Sequence, residues 1–411
     1  MTATAKRLEG IGEYYFSQKL RQIDEMRKSG RHIINLGIGS PDLPPHPEVI
    51  RVLQEECARP DVHAYQSYKG SPVLRRAVSD WYRTWYGVEL DPDRNVLPLI
   101  GSKEGIMHVC MTYVDKGDTA LVPNPGYPTY RSAVKLAGGE VAEYRLREEN
   151  GWQPDIDELE ALVTASTTGG DGRAKLLFVN YPHMPTGQRP DVGALTQLIA
   201  FARNHGILVV HDNPYSFILN DRPMSLLSLP GAEESVLELN SLSKSQNMAG
   251  WRVGTLCGAG SRIDEVLRFK SNMDSGMFLP VQLAAARALS LGREWYDGVN
   301  EIYARRRLEA FGLLDGLGCV YDEDQSGMFV WARIPEGCAS GYGLSDEVLE
   351  ETSVFVTPGG IFGDAGDGHV RVSLCSPEEK LRTAAERIRL WKSLPSEALE
   401  DIKQTGWEKH K

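Results

Sequence analysis

Val192-Gly-Ala-Leu-Thr-Gln-Leu-Ile-Ala-Phe-Ala-Arg-Asn-His-Gly-Ile-Leu-Val-Val-His-Asp212 holds a helix, its stop and a strand in one run. Val192 to Arg203 reads as the helix, Gly206 as its terminator, and Ile207 to Asp212 as a short apolar strand that ends on a carboxylate. Three more segments have the same character as that strand: Thr119 to Pro123, Leu176 to Tyr181 and Val236 to Leu242. Helical stretches separate them, and alternating strands and helices predict an α/β fold with a largely parallel central sheet flanked by helices. Further upstream, residues 71 to 86 form an amphipathic pattern: Ser71 is placed to cap, Pro72 suits the first turn, and Val73, Leu74, Ala77, Val78, Trp81, Tyr82 and Trp85 recur at helical spacing.

Polar residues gather where these strands end. Asn124 and Tyr127 follow the first strand, Asn180 and His183 the second, Asp212 and Tyr215 the third, and Lys244 the fourth. In an open α/β sheet that edge is the ligand crevice. From about residue 292 the pattern changes to a long charged helix, Glu294 to Leu314, then strand-like pieces at Phe329 to Ile334, Val354 to Val356 and Val370 to Leu374, and a last helix. We expect three parts: an arm that also supplies part of a small domain (1–45), a large domain (46–291) and a small α+β domain (292–411). Gly-rich Thr167 to Gly172 and Gly363 to Gly368 read as surface turns.

Composition narrows the function. The chain has 411 residues and a net charge of -11, with no basic cluster, so a nucleic-acid backbone is not expected as partner. No apolar run reaches the roughly 18 residues of a membrane span, and Met1 to Ile11 lacks the basic start and apolar stretch of a secretory signal. Six scattered cysteines fit reduced thiols in a cytoplasm, and nine dispersed histidines, His63, His183 and His211 among them, predict no metal site.

Several residues carry chemistry. Ile100-Gly-Ser-Lys-Glu-Gly105 opens an apolar helix, Ile106 to Val114, and its free N–H groups and helix dipole can hold an anion. Ser241-Leu-Ser-Lys244 and Gly250-Trp-Arg-Val-Gly254 add hydroxyls and the forked Arg252 guanidinium, which suits a phosphate dianion. Lys244 follows an apolar strand and has cationic neighbours, conditions that lower an amine's pKa and make it a nucleophile toward an aldehyde. Asp212, at the crevice floor, can keep a pyridine nitrogen protonated, and a protonated ring is an electron sink. Tyr215 can hydrogen-bond a ring oxygen and Tyr127 can stack on the ring. Each residue alone also has a plain structural explanation as cap, surface ion pair, solvated lysine or packed aromatic.

Taken in order, these elements resemble class I aminotransferases, fold type I pyridoxal-phosphate enzymes. The resemblance runs from Leu36-Gly-Ile-Gly-Ser-Pro-Asp42 through Tyr65 to Arg75 and the Ser-x-Ser-Lys and Gly-Trp-Arg-x-Gly elements to His369-Val-Arg-Val-Ser373. It implies pyridoxal 5'-phosphate as cofactor, Lys244 as the Schiff-base and proton-shuttling lysine, Asp212 on the pyridine nitrogen and Tyr215 near the ring oxygen. It places Ser102, Lys103, Ser241 and Arg252 around the phosphate, with Ser243 assisting, and gives Arg371 the substrate α-carboxylate beside the Gly39 backbone. It implies as well that Tyr65 reaches the phosphate of a neighbouring subunit, hence a homodimer with shared sites.

The activity implied is amino transfer from an L-amino acid to a 2-oxo acid with ping-pong kinetics. A β-lyase is the chemical alternative, and a catalytically silent cofactor-binding homologue the alternative of another class. One departure stands out: Asn180-Tyr-Pro-His-Met-Pro-Thr-Gly187 has Met184 where the family commonly has an asparagine, so the ring oxygen loses a donor unless Asn180 or His183 replaces it. Dicarboxylate-specific members often add an arginine where this chain reads Ser275-Gly-Met-Phe-Leu279, while Met277, Phe278 and Tyr14-Tyr-Phe16 can line an apolar wall. The stretch Gly12 to Asp42 is loosely similar to LL-diaminopimelate aminotransferases.

Overall fold

A computed structural model describes residues 2–9, 11, 12, 15–167, 173–395, 397–399, 402 and 407. Tyr14 and most of the 167–172 turn lie outside the described residues. Along the chain the strands are β1 (Ile34–Asn35), β2 (Val96–Leu99), β3 (Thr119–Asn124), β4 (Glu140–Arg145), β5 (Ala174–Val179), β6 (Leu208–Asp212), β7 (Val236–Ser241) and β8 (Gly254–Gly258). There follow β9 (Val320–Tyr321), β10 (Phe329–Arg333), β11 (Val354–Phe355), β12 (Thr357–Pro358) and β13 (His369–Ser373).

Among the described residues, seven strands form the central sheet in the order β2-β8-β7-β6-β5-β3-β4. β7, β6, β5, β3 and β4 run parallel, and β8 is antiparallel to both of its neighbours. The sheet is buried on both faces. Leu176, Phe178, Leu208, Val210, Leu237 and Leu239 pack into one apolar cluster, whereas Leu177, Val179, Val209 and Val236 pack into another. That division follows from the period of two in an extended chain. After β3 the chain turns to β4 on one side and then returns to β5 on the other, so the order reverses between β3 and β5 and opens a crevice at the C-terminal strand ends.

The helix Pro72–Tyr86 begins at Ser71, whose side chain accepts from the Val73 N–H, and ends at Gly87 in the left-handed region. Its buried face differs in part from the apolar pattern: Val73 is exposed, and Arg75 is buried, donating to the Gly70 and Pro92 carbonyls and to Asp93. The helix at the anion turn starts earlier than the apolar pattern indicates, at Ser102 rather than Ile106, because Ser102 to Gly105 supply its polar first turn.

The C-terminal part holds the antiparallel order β12-β13-β10-β9, and β1 pairs in parallel with β11, joining the first strand of the chain to this region. The long helix is Arg293–Leu317. The 363–368 turn is not a simple surface loop: Gly366 is buried against Trp331 and Gly359, and Asp364 accepts from Asn124 at 2.5 Å.

Candidate active site

The strand ends converge on a cavity of about 650 Å³. Asp212 terminates β6 and is buried at its floor. Its Oδ2 accepts from the Tyr130 hydroxyl at 2.8 Å, and its Oδ1 has no hydrogen-bond partner among the described residues. Burial pushes the carboxyl up to about 6, while the Tyr130 hydrogen bond, His211 and Lys244 pull it back. A buried acceptor without a donor costs free energy, and a protonated ring nitrogen would supply the missing donor.

Lys244 lies in the turn after β7, and its Nζ donates to the Gly39 carbonyl at 2.7 Å, 5.9 Å from the centre of the Tyr215 ring. Its pKa is lowered chiefly by burial, with the Arg371 and Arg252 charges adding to the effect and Cys375 and Asp212 opposing it. An amine in that state is available as nucleophile and base. Burial raises the Tyr215 and Tyr127 phenols, which therefore remain donors. Both line the cavity.

Gly101, with φ of +85°, turns the chain from β2 into the helix Ser102–Tyr113. A side chain there would collide with the Arg252 guanidinium, so glycine lets that guanidinium lie against the helix N-terminus. Gly254 acts similarly, since a Cβ would meet the Ser102 and Gly101 backbones. Glu104 accepts from the Ile100 N–H at 2.6 Å and ties the turn from below. Ser102, Lys103, Ser241, Ser243 and Arg252 share the cavity wall at this end. Backbone donors, hydroxyls and a guanidinium around one helix N-terminus make a dianion cradle.

At the opposite end, Arg371 on β13 donates to the Gly37 carbonyl at 2.9 Å and to Met184 Sδ at 3.3 Å. Its guanidinium lies 3.8 Å from the centre of the Phe329 ring and 4.7 Å from that of Phe362. Aromatic rings against a guanidinium restrain its fork, the donor geometry that suits a carboxylate. Gly39 passes so close to the Phe329 ring that no Cβ would fit.

Twelve of the thirteen residues expected at the site line this cavity; Tyr65 does not, being 93% exposed. Asn180 lines it with its amide engaged by backbone, Nδ2 to the Asp212 carbonyl at 2.6 Å and Oδ1 from the Met184 N–H at 2.8 Å. His183 is buried against Thr186, with Nδ1 2.8 Å from Oγ1. Of the residues expected to form an apolar wall, Phe16 lines the cavity, Tyr15 packs edge-on against Tyr342, Met277 is buried in a separate core cluster, and Phe278 is half-exposed beside His63.

Sequence reasoning missed Tyr130, Phe329 and Phe362. Tyr130 stands three residues after Tyr127, in the first turn of the helix Thr129–Ala137, and the two rings meet edge-on with centres 5.6 Å apart. Glu104, His108 and Asp274 also bring three metal-type ligand atoms within 4.8 Å of one another beneath the anion turn. The Lys270 ammonium contacts both Asp274 oxygens, at 2.6 and 2.7 Å, so this cluster already holds a cation of its own.

Electron-sink acceptor, nucleophilic amine, dianion cradle and carboxylate fork thus fit pyridoxal 5'-phosphate and an amino acid together. Comparison with known proteins agrees. The family model for aminotransferase class I and II matches residues 31–388. An LL-diaminopimelate aminotransferase of Moorella thermoacetica is 41% identical over 387 residues, covering 94% of this chain and 97% of that one. One of Dehalococcoides mccartyi is 39% identical over 391 residues, covering 95% and 99%. Among solved structures, substrate-bound BacF of Bacillus subtilis matches with a TM-score of 0.88 and 37% identity over 95% of this chain and 98% of that one. A Thermus thermophilus aspartate aminotransferase mutant matches at 0.87 and 26%, over 95% and 100%. The chain belongs to the class I and II aminotransferases, fold type I transaminases that depend on pyridoxal 5'-phosphate.

Proposed function

We propose that this transaminase moves the amino group of an L-amino acid to a 2-oxo acid with Lys244 as covalent anchor and proton carrier. The observation that carries the reading is Asp212 Oδ1, without a hydrogen-bond partner among the described residues, in the same cavity as Lys244 Nζ. When bound, the cofactor supplies an electrophilic carbonyl and an electron sink. Asp212 holds a proton at the ring nitrogen, Tyr215 donates toward the ring oxygen, and Tyr127 packs on the ring. Ser102, Lys103, Ser241, Ser243 and Arg252 hold the phosphate, and Asn180 braces the floor. Arg371, beside Gly39, orients the substrate by its α-carboxylate. Lys244 Nζ, its pKa lowered by burial, takes the α-carbon proton and returns it one position away.

The close relatives named LL-diaminopimelate aminotransferases make that diamino acid the first donor to test. A homodimer is proposed because Tyr65, Tyr68 and Met273 expose large apolar surfaces, and Tyr65 would reach the phosphate of a second copy. The division into 1–45, 46–291 and 292–411 is proposed from the β1–β11 pairing and the separate antiparallel sheet. No helix among the described residues is long and apolar enough to cross a membrane. The six free thiols support a reducing cytoplasm.

The test is to incubate holoenzyme with a panel of amino acids, LL-diaminopimelate, aspartate and phenylalanine included, and to follow cofactor absorbance and the oxo acid formed. Parallel initial-rate lines with a 2-oxo acid support the reading, and pyruvate with ammonia would favour a lyase instead.

A further inference from the structure

Behind the cavity floor lies a second charged pair. His211 and Glu238 face each other in the register of β6 and β7, and both side chains are fully buried at 0% exposure. His211 Nδ1 is 2.7 Å from Glu238 Oε2, and His211 Nε2 is 3.0 Å from the Tyr181 carbonyl oxygen.

Their protonation follows from the partners. A carbonyl oxygen only accepts, so Nε2 carries a proton. Glu238 Oε2 also accepts from the Leu226 N–H at 3.0 Å, an obligate donor, and from the Ser225 hydroxyl at 2.8 Å. The Ser225 oxygen itself accepts from the Leu227 N–H, which leaves its own proton for Glu238. Oε1 accepts from the Tyr82 hydroxyl at 2.9 Å and lies 3.4 Å from the Asn213 amide nitrogen. So many donors favour a carboxylate, and with both ring nitrogens facing acceptors the arrangement suits an imidazolium. Tyr82, Tyr86 and Cys257, which also face Glu238, are kept neutral by burial.

A fully buried ion pair is poor value as a stabiliser, because desolvation offsets most of the attraction. Its placement indicates a different use. The cation stands on the strand of Asp212, one residue before it, and the anion stands on the neighbouring strand. Alternation along β6 puts the imidazolium on the far side of the sheet from the cavity. Among the charges that favour ionised Asp212, His211 comes ahead of Lys244.

We infer that His211, held as a cation by Glu238, is a positioning residue that keeps the proton on the cofactor nitrogen and off Asp212. This rests on the proposed role of Asp212. Replacing Glu238 by glutamine keeps the shape of the network and removes the charge that retains the second imidazole proton.

The test combines nitrogen NMR of ¹⁵N-histidine-labelled holoenzyme with a double-mutant cycle. One buried histidine with both ring nitrogens protonated is expected in the native protein, becoming a neutral tautomer in Glu238→Gln. Glu238→Gln is expected to lower the single-turnover rate about tenfold, the equivalent of one pKa unit at Asp212, with KM unchanged. In an Asp212→Asn background the same substitution should have no further effect. A native His211 with one bare nitrogen overturns the proposal, and this spectrum needs no variant to fold. An equal rate loss in both backgrounds also overturns it, since a merely structural role would give that result. Should Asp212→Asn alone turn over at the native rate, the reading of Asp212 fails first, and the inference with it.

Discussion

The Tyr130 hydroxyl donates to Asp212 Oδ2 at 2.8 Å, so this carboxylate meets the cavity with one oxygen fixed and the other without a partner among the described residues. Tyr130 is itself immobilised, stacked on Phe178 with ring centres 4.9 Å apart and planes 15° from parallel. The direction of Oδ1 is therefore set by packing before any ligand arrives, the preorganisation that electrostatic catalysis needs.

Asp212 should weaken the cofactor-free fold above acidic pH. Its folded pKa, about 6, lies above its ordinary value of 3.8, so the unfolded chain loses the proton first. Stability then falls as pH rises through that interval and stays flat above it. Asp212→Asn removes the penalty, and should stabilise cofactor-free protein at pH 7.5 by up to about 3 kcal/mol, from 1.36 kcal/mol per unit. The gain should vanish near pH 4. Denaturant melts across this range decide it, and a gain that does not depend on pH would refute the assignment.

Lys244→Ala should abolish covalent attachment. Borohydride reduction of native holoenzyme followed by mass spectrometry should find the cofactor fixed to the peptide bearing residue 244, and the variant should release it entirely. Turnover should fall by roughly 10²–10⁴ or more, the range for loss of a positioned general base. Label on any other lysine would contradict the role given to Lys244.

The parts legible in the sequence have a common physical feature. β3, β5, β6 and β7 are adjacent in the sheet and covered on both faces, so they read as continuous apolar runs. β2 and β4 are the two edges. In β2, Pro98 interrupts the run, which an edge tolerates, and in β4, Glu140-Val-Ala-Glu-Tyr-Arg145 shows only a weak pattern. β8 is bracketed by Gly254 and Gly258 and is antiparallel, which composition does not disclose. At the site, Lys244, Asp212 and Arg252 stand in recognisable spacings, whereas Tyr130, Phe329 and Phe362 act only through three-dimensional proximity. The Arg371 sandwich joins β13, β10 and the turn after β12, contacts that no local spacing encodes.

Arg371→Lys should damage substrate binding more than chemistry. A lysine retains the charge but loses the planar fork and its stacking on Phe329, and charge-assisted hydrogen bonds contribute about 1.5–3 kcal/mol. KM for the amino acid should rise on the order of 10- to 150-fold. The single-turnover rate with an amine lacking a carboxylate should be unchanged. A parallel loss with both substrates would place Arg371 outside carboxylate recognition.

Met184 gives the last prediction, because its consequence depends on which neighbours are already engaged. The thioether lies 3.3 Å from Arg371 Nη1 on the cavity wall, where it is a weak acceptor and no donor. Asn180 has its amide plane fixed by backbone, one Nδ2 hydrogen on the Asp212 carbonyl and Oδ1 on the Met184 N–H. His183 is turned to Thr186, and burial lowers its pKa to about 3, so it stays neutral. Without a donor at 184 the ring oxygen is less well stabilised as an anion, and the nitrogen bonded to the cofactor is more basic than it would be with that donor added to Tyr215. Met184→Asn should supply that donor and lower the pH at which the bound cofactor changes its visible absorption. It should also free Arg371 Nη1 from sulfur. An absorption titration of the holoenzyme is the measurement. An unchanged midpoint would mean that the side chain at 184 does not reach the ring oxygen, and that Tyr215 alone sets its charge.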